Sequence, residues 1–321
     1  TILFSESVRN PKKLNAIKAG GPMILSSYES SGFYLKSDNF IKFMENTFTI
    51  DKQIKNDHSI REAYILYSHY KAQSALRNND IEKAKKIYET GVEISKINLK
   101  NVAHGSVNYS LYEVMVVLKY VPELYEIYFN EKNYKKLNKI NRVYINNDIS
   151  NLSKRELKYI NLLDMNSYKI LKIYLKYFEE KNNKKKFNMV KSHIIKKLDK
   201  TIKKLKKNDT REFINYATNR DIVLREIAEI AEILIKNSYK TEGTEILNKI
   251  YPIIIDYFKE KSSAAVWKPN IEDNVFGLIY LDIAENYLKS DKSFIKKAYK
   301  VAQVGKNTFT SRDLNKAISK K

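Results

Sequence analysis

The side chains best suited to chemistry in this chain are its four histidines, His58, His69, His104 and His193, and its carboxylates. Two imidazoles hold one metal from a helix when they sit four residues apart, and no pair here has that spacing. His69 lies among Tyr64, Tyr67 and Tyr70, where a hydrogen-bonded structural role is expected. There is no cysteine, which excludes thiolate catalysis, disulfides and cysteine-ligated metals. Gly20-Gly21-Pro22 is too short to cradle a phosphate, and neither a GxGxxG nor a GxSxG turn occurs. No two carboxylates stand apart as an acid and base pair. The expectation is a protein that is not an enzyme, with no catalytic residue, no metal and no cofactor.

Two groups of residues suit binding instead. Between Lys181 and Lys207 lysine recurs on one side of a run whose apolar residues, Phe187, Val190, Ile194, Leu198, Ile202 and Leu205, step by three or four. That is a basic amphipathic helix, and Lys184, Lys185, Lys186, Lys196, Lys197, Lys203 and Lys204 are its candidates for an anionic surface. The chain carries a net charge of +22, yet arginine occupies only nine positions. A bias toward AT-rich codons also produces many lysines and few arginines, so the favoured reading of this face is a solvated one. Docking to nucleic acid, anionic lipid or an acidic protein is the alternative. The second group is aromatic. Tyr64, Tyr67, Tyr70, Tyr125 and Tyr128 crowd one third of the chain, in pairs three residues apart that share a helix face. They are candidates for a protein partner, together with Trp267 in the polar stretch from Ser262 to Asn270.

The elements that position these residues are helices. With 8 Gly and 5 Pro in 321 residues, the chain lacks the turn residues that an all-β fold uses. Ser59 followed by Glu62 and Ser153 followed by Glu156 read as capping boxes, and so does Asp209 with Glu212. Pro122 and Pro252 read as helix starts or loops. Asn78-Asn79-Asp80 separates two helical patterns and predicts a helical hairpin. Behind it Ile81, Ala84, Tyr88 and Gly91, with Ala72 on the preceding helix, resemble the second half of a tetratricopeptide repeat. Phe294, Ala298, Ala302 and Gly305, preceded by Ala284, Tyr287 and Leu288, are similar to it. Asn133-Tyr134 with Leu137 and Tyr144, and Ser238-Tyr239 with Ile246, Leu247 and Ile250, are weaker copies.

The resemblance implies an all-α fold, an irregular tetratricopeptide-like array of helical hairpins forming a solenoid that is extended or closed up. Residues 1–58 are expected to be an irregular segment with one or two helices, and 59–150 the first hairpins. The basic helix falls in 151–208, and further hairpins in 209–321. The implied function is a scaffold or adaptor that holds a protein partner on the concave surface of the first helices. Alternatives are a binder of nucleic acid or of an anionic membrane through 181–207, and a helical protein that closes on a small ligand near Trp267. No apolar run approaches the roughly 20 residues that span a bilayer. The start at Thr1 and the lack of cysteine point toward an exported, periplasmic or envelope-tethered protein of an AT-rich bacterium rather than a cytoplasmic one.

Overall fold

A computed structural model of the chain describes residues 20–22, 24, 25, 28, 34–45, 58–95, 116–161, 163, 167–206, 220–263, 273–290 and 292–304. Among the described residues every regular element is a helix, as the scarcity of turn residues predicts. The loop holding Trp267, the caps expected at Asp209 and Glu212, and Gly305 lie outside them. The chain divides into two compact units, Thr1–Asn146 and Asn147–Lys321.

In the first unit α1 (Tyr34–Glu45) packs on α2 (His58–Arg77), which is followed by α3 (Ile81–Ser95). A π-helical turn, Val116–Tyr120, leads into α4 (Val121–Asn130), and α5 (Tyr134–Ile145) ends the unit. In the second unit α6 (Lys154–Ile160) precedes two long hairpins. These are α7 (Ser167–Glu180) with α8 (Lys184–Lys206), and α9 (Arg220–Lys236) with α10 (Lys240–Ser263). Then come α11 (Asp273–Ser290), a 3-10 turn from Lys292 to Phe294, and α12 over 295–304.

One hairpin geometry occurs four times. Asn79, Lys132, Asn182 and Ser238 each adopt a left-handed backbone, with φ of 59°, 55°, 51° and 69°. In every case the next residue's N–H reaches back to the first helix: Asp80 to the Ala75 carbonyl, Asn133 to Tyr128, Asn183 to Phe178 and Tyr239 to Leu234, at 2.8–2.9 Å. This satisfies carbonyls that the end of a helix leaves open, and reverses the chain in three residues. Three of the second helices are then capped by a side chain. Asp80, Asn133 and Asn183 each accept from the backbone N–H three residues on, at 3.1 Å. Tyr239 has no such acceptor.

Packing across each hairpin follows from the residues facing one another. Ala72 and Ala84 in the first, and Ala231 and Gly243 in the fourth, are buried at equivalent positions. A Cβ on Gly243 would lie 2.7 Å from the Ala231 carbonyl oxygen, so α9 and α10 approach closely enough to require glycine. Tyr125 with Leu137 and Leu175 with Phe187 fill the same positions in the other two hairpins. Gly91 is buried against the Tyr120 ring, onto which any Cβ would fall.

Several expectations need correction. Helix α2 includes His58, so Ser59 sits within helical backbone rather than at an N-cap. Ser153 does form the capping box with Glu156, but it opens only the short α6. Pro252 lies inside α10, not at a start or loop. Ile246, Leu247, Ile250, Ile253 and Ile254 are buried on both sides of it, and that apolar face holds the helix through the lost backbone bond. Ile81 and Leu288, assigned to repeat positions, are 49% and 54% exposed, so neither is a core residue among the described ones.

Candidate binding surfaces

The tyrosines expected to meet a partner are mostly core. Tyr64, Tyr67, Tyr125 and Tyr128 are all buried. The Tyr125 hydroxyl donates to the Asn141 side-chain oxygen across the second hairpin. Burial, with the Glu89 carboxylate that accepts the Tyr128 hydroxyl at 2.6 Å, holds Tyr128 far above the usual phenol range. The same carboxylate accepts from Lys136 Nζ at 2.7 Å. Burial pushes Glu89 up, but these two donors outweigh it and its pKa is lowered. Tyr70 is half-buried beside His69, ring centroids 5.4 Å apart, and is the one residue of this set that keeps an accessible edge. Helix geometry explains the outcome. Tyrosine-rich helices packed on several sides spend their rings on neighbours, and a buried hydroxyl then takes an internal acceptor, as Tyr120 does at the Ile65 carbonyl, 2.5 Å away.

The basic helix forms as the spacing predicts. In α8 Phe187, Val190, Ile194, Leu198, Ile202 and Leu205 are buried. Its lysines divide into two kinds. Lys186 donates to the Leu152 carbonyl at 3.0 Å, Lys191 pairs with Glu242 at 2.7 Å over the Tyr239 ring, and Lys197 lies over the Tyr168 ring. Lys184, Lys185, Lys196, Lys200, Lys203 and Lys206 are exposed and meet no acidic partner among the described residues. Lys204 is half-buried and belongs with the tied residues. His193 Nε2 lies 2.9 Å from the Asn161 side-chain oxygen, and burial followed by Lys197 and Lys196 keeps its pKa below that of a free imidazole.

Two features have no counterpart in the sequence reading. Lys172 is 2% exposed, with its ammonium 2.5 Å from Glu226 and 2.6 Å from Glu229. Arg225 approaches both glutamates at 3.7 Å and Asp282 at 3.9 Å, so the group runs from α7 through α9 to α11. Of the three lysines between Tyr168 and Phe178, Lys172 is the one in helical register with Tyr168, Leu171 and Leu175, and that placement is the signal that could have exposed it. The other is Lys119 in the π-helical turn, where burial pushes the amine down to about 8 against the nearby Glu123. Among the described residues no group of three His, Asp or Glu side chains is placed to hold a metal ion, and no helix is long and apolar enough to cross a membrane.

Comparison with known proteins finds no matching family model, no similar curated protein and no similar solved structure. The chain's own geometry therefore carries the functional argument.

Proposed function

We propose that this chain is a non-catalytic scaffold that holds a protein segment on tetratricopeptide-like helical hairpins, stacked within each unit in the manner of a solenoid. The observation that supports this reading most is the hairpin built four times over with one turn geometry. Its small residues at Ala72, Ala84 and Gly91 match the repeat's spacing, as do Ala231 and Gly243. Repeated hairpins suit extended ligands, because each module offers the same edge again. In the first hairpin that edge is the half-buried line Leu66, Tyr70 and Gln73 on α2, neither core nor fully solvated. Tyr70 gives it an aromatic anchor with few rotors to freeze on binding.

Site-specific photo-crosslinking in the native cell tests this reading. A benzophenone side chain at Tyr70 is expected to capture a discrete protein band that the same group at Asn188, on the outer side of α8, does not capture. Equal labelling from both positions, or none from Tyr70 while the protein remains folded, would overturn the reading.

A further inference from the structure

The second helices of the Asn147–Lys321 unit form a layer of their own. Helix α8 packs on α10 and is tied to it by Lys191–Glu242 and by Lys249–Asp199 at 2.9 Å. Helix α12 joins α10 through Lys297 and Asn248. The first helices α7, α9 and α11 pack against one another as the companion layer. Charge is divided between the two. Over their described spans the first helices carry seven basic and nine acidic residues, and the second helices seventeen basic and five acidic. Codon bias toward lysine acts on every helix alike and does not sort charge by layer. The excess sits on α8, with ten basic residues to one acidic, and on α12, with three to none, while α10 between them is balanced at four and four.

The outward face of that layer has a definite chemistry. On α8, Lys185, Lys196 and Lys203 share one line opposite the buried stripe, since steps of eleven and seven residues return to nearly the same azimuth. At 1.5 Å per residue they span about 27 Å. Lys292 of the preceding 3-10 turn, with Lys296 and Lys300 of α12, flanks Ile295 and Tyr299, which are 55% and 65% exposed. Exposed apolar and aromatic side chains ringed by lysine are what the headgroup region of a bilayer accepts: the rings enter the interface and the ammonium groups meet lipid phosphates. The exposed residues of α8 and α12 include no arginine to make forked contacts with bases, which disfavours a sequence-reading nucleic-acid site.

We infer that the second-helix face of this unit docks peripherally on an anionic lipid bilayer, with the exposed lysines of α8, of α12 and of the turn before it at the headgroups and Ile295 and Tyr299 seated in the interface. The residues of this face are none of those in the protein-binding reading above, so the two readings are tested independently.

The test is co-sedimentation of the full chain with phosphatidylcholine vesicles, with and without about one third phosphatidylglycerol, at low salt and at about 0.15 M. The wild type is expected to bind only the anionic vesicles. Each lysine near such a surface is worth about fivefold in partitioning. The joint change of Lys185, Lys196, Lys200 and Lys203 to Gln should therefore cut binding by about two orders of magnitude or more, and weaken its salt dependence. Ile295→Ser with Tyr299→Ser should reduce the binding that survives at the higher salt. Circular dichroism confirms folding, which these exposed positions leave untouched. Equal binding to neutral vesicles, no binding to anionic vesicles at low salt, or an unaltered lysine variant would overturn the inference. So would duplex DNA or RNA, run as a gel shift at the same salt, that binds more tightly than the vesicles.

Discussion

Lys172 shows how one residue can carry a large share of a unit's energetics. Its ammonium is taken out of water, and the two carboxylates of Glu226 and Glu229 at 2.5 and 2.6 Å offset that desolvation. Removing the cation leaves Glu226, itself 3% exposed, as a buried charge with Arg225 no nearer than 3.7 Å. Lys172→Met is therefore expected to destabilise the protein by about 3–5 kcal/mol. Adding Glu226→Leu should restore most of the loss, because a paired buried ion is often neutral against an apolar replacement of similar volume. Urea unfolding of the wild type and both variants measures the two steps. A single variant as stable as the wild type would show that Glu226 is satisfied without Lys172. The tyrosines give the converse lesson. Their number and spacing were legible, but a ring's use at a surface or in a core depends on what covers it, and Tyr67, Tyr125 and Tyr128 are covered.

At the scale of the element, the hairpin turn is the unit of construction. Its second residue must be left-handed, and the chain places Asn there twice, at Asn79 and Asn182, where the side chain tolerates that region. Lys132 and Ser238 bear the same backbone with side chains that do not favour it. Lys132→Gly and Ser238→Gly should each stabilise the protein by about 0.5–1 kcal/mol, since relief of the left-handed cost exceeds glycine's added chain entropy. Asn79→Val should do the opposite. Thermal melts of the three variants decide the matter, and loss of stability in both glycine variants would mean that these turns are not left-handed in solution. The turns were readable as breaks in a helical period, and Asp80, Asn133 and Asn183 as helix starts. Their shared geometry was not. The residues differ at each copy, and only the φ values and the return hydrogen bonds show that Asn78-Asn79-Asp80 and Asn237-Ser238-Tyr239 make the same turn.

At the scale of the molecule, charge is the dominant feature. Of the net charge of +22, the described second helices of the Asn147–Lys321 unit carry +12, seventeen basic against five acidic residues, and exposed lysines of α8 repel one another there. Such self-repulsion weakens the folded state and is screened within a Debye length of about 10 Å at 0.1 M salt. The melting temperature should accordingly rise as sodium chloride increases from about 0.02 to 0.3 M. The rise should be smaller in the variant with Gln at Lys185, Lys196, Lys200 and Lys203. Calorimetry at four salt concentrations measures it, and an unchanged salt response in that variant would place the repulsion elsewhere.

The sequence by itself determined that the chain is helical, where most helices begin and turn, and which face of α8 is apolar, because helical periodicity and capping are local properties of neighbouring residues. It also contained the small residues of the first hairpin, Ala72 and Ala84 between α2 and α3 and Gly91 against the Tyr120 ring. Only the tertiary structure decided that Pro252 stays within a helix, that Lys172 is buried with two glutamates, and that lysine gathers on one layer of helices. Those outcomes depend on which elements cover the remaining faces of each helix. That information lies in contacts between residues some fifty positions apart, as in Lys172 with Glu226 and Lys191 with Glu242, where no local period reaches.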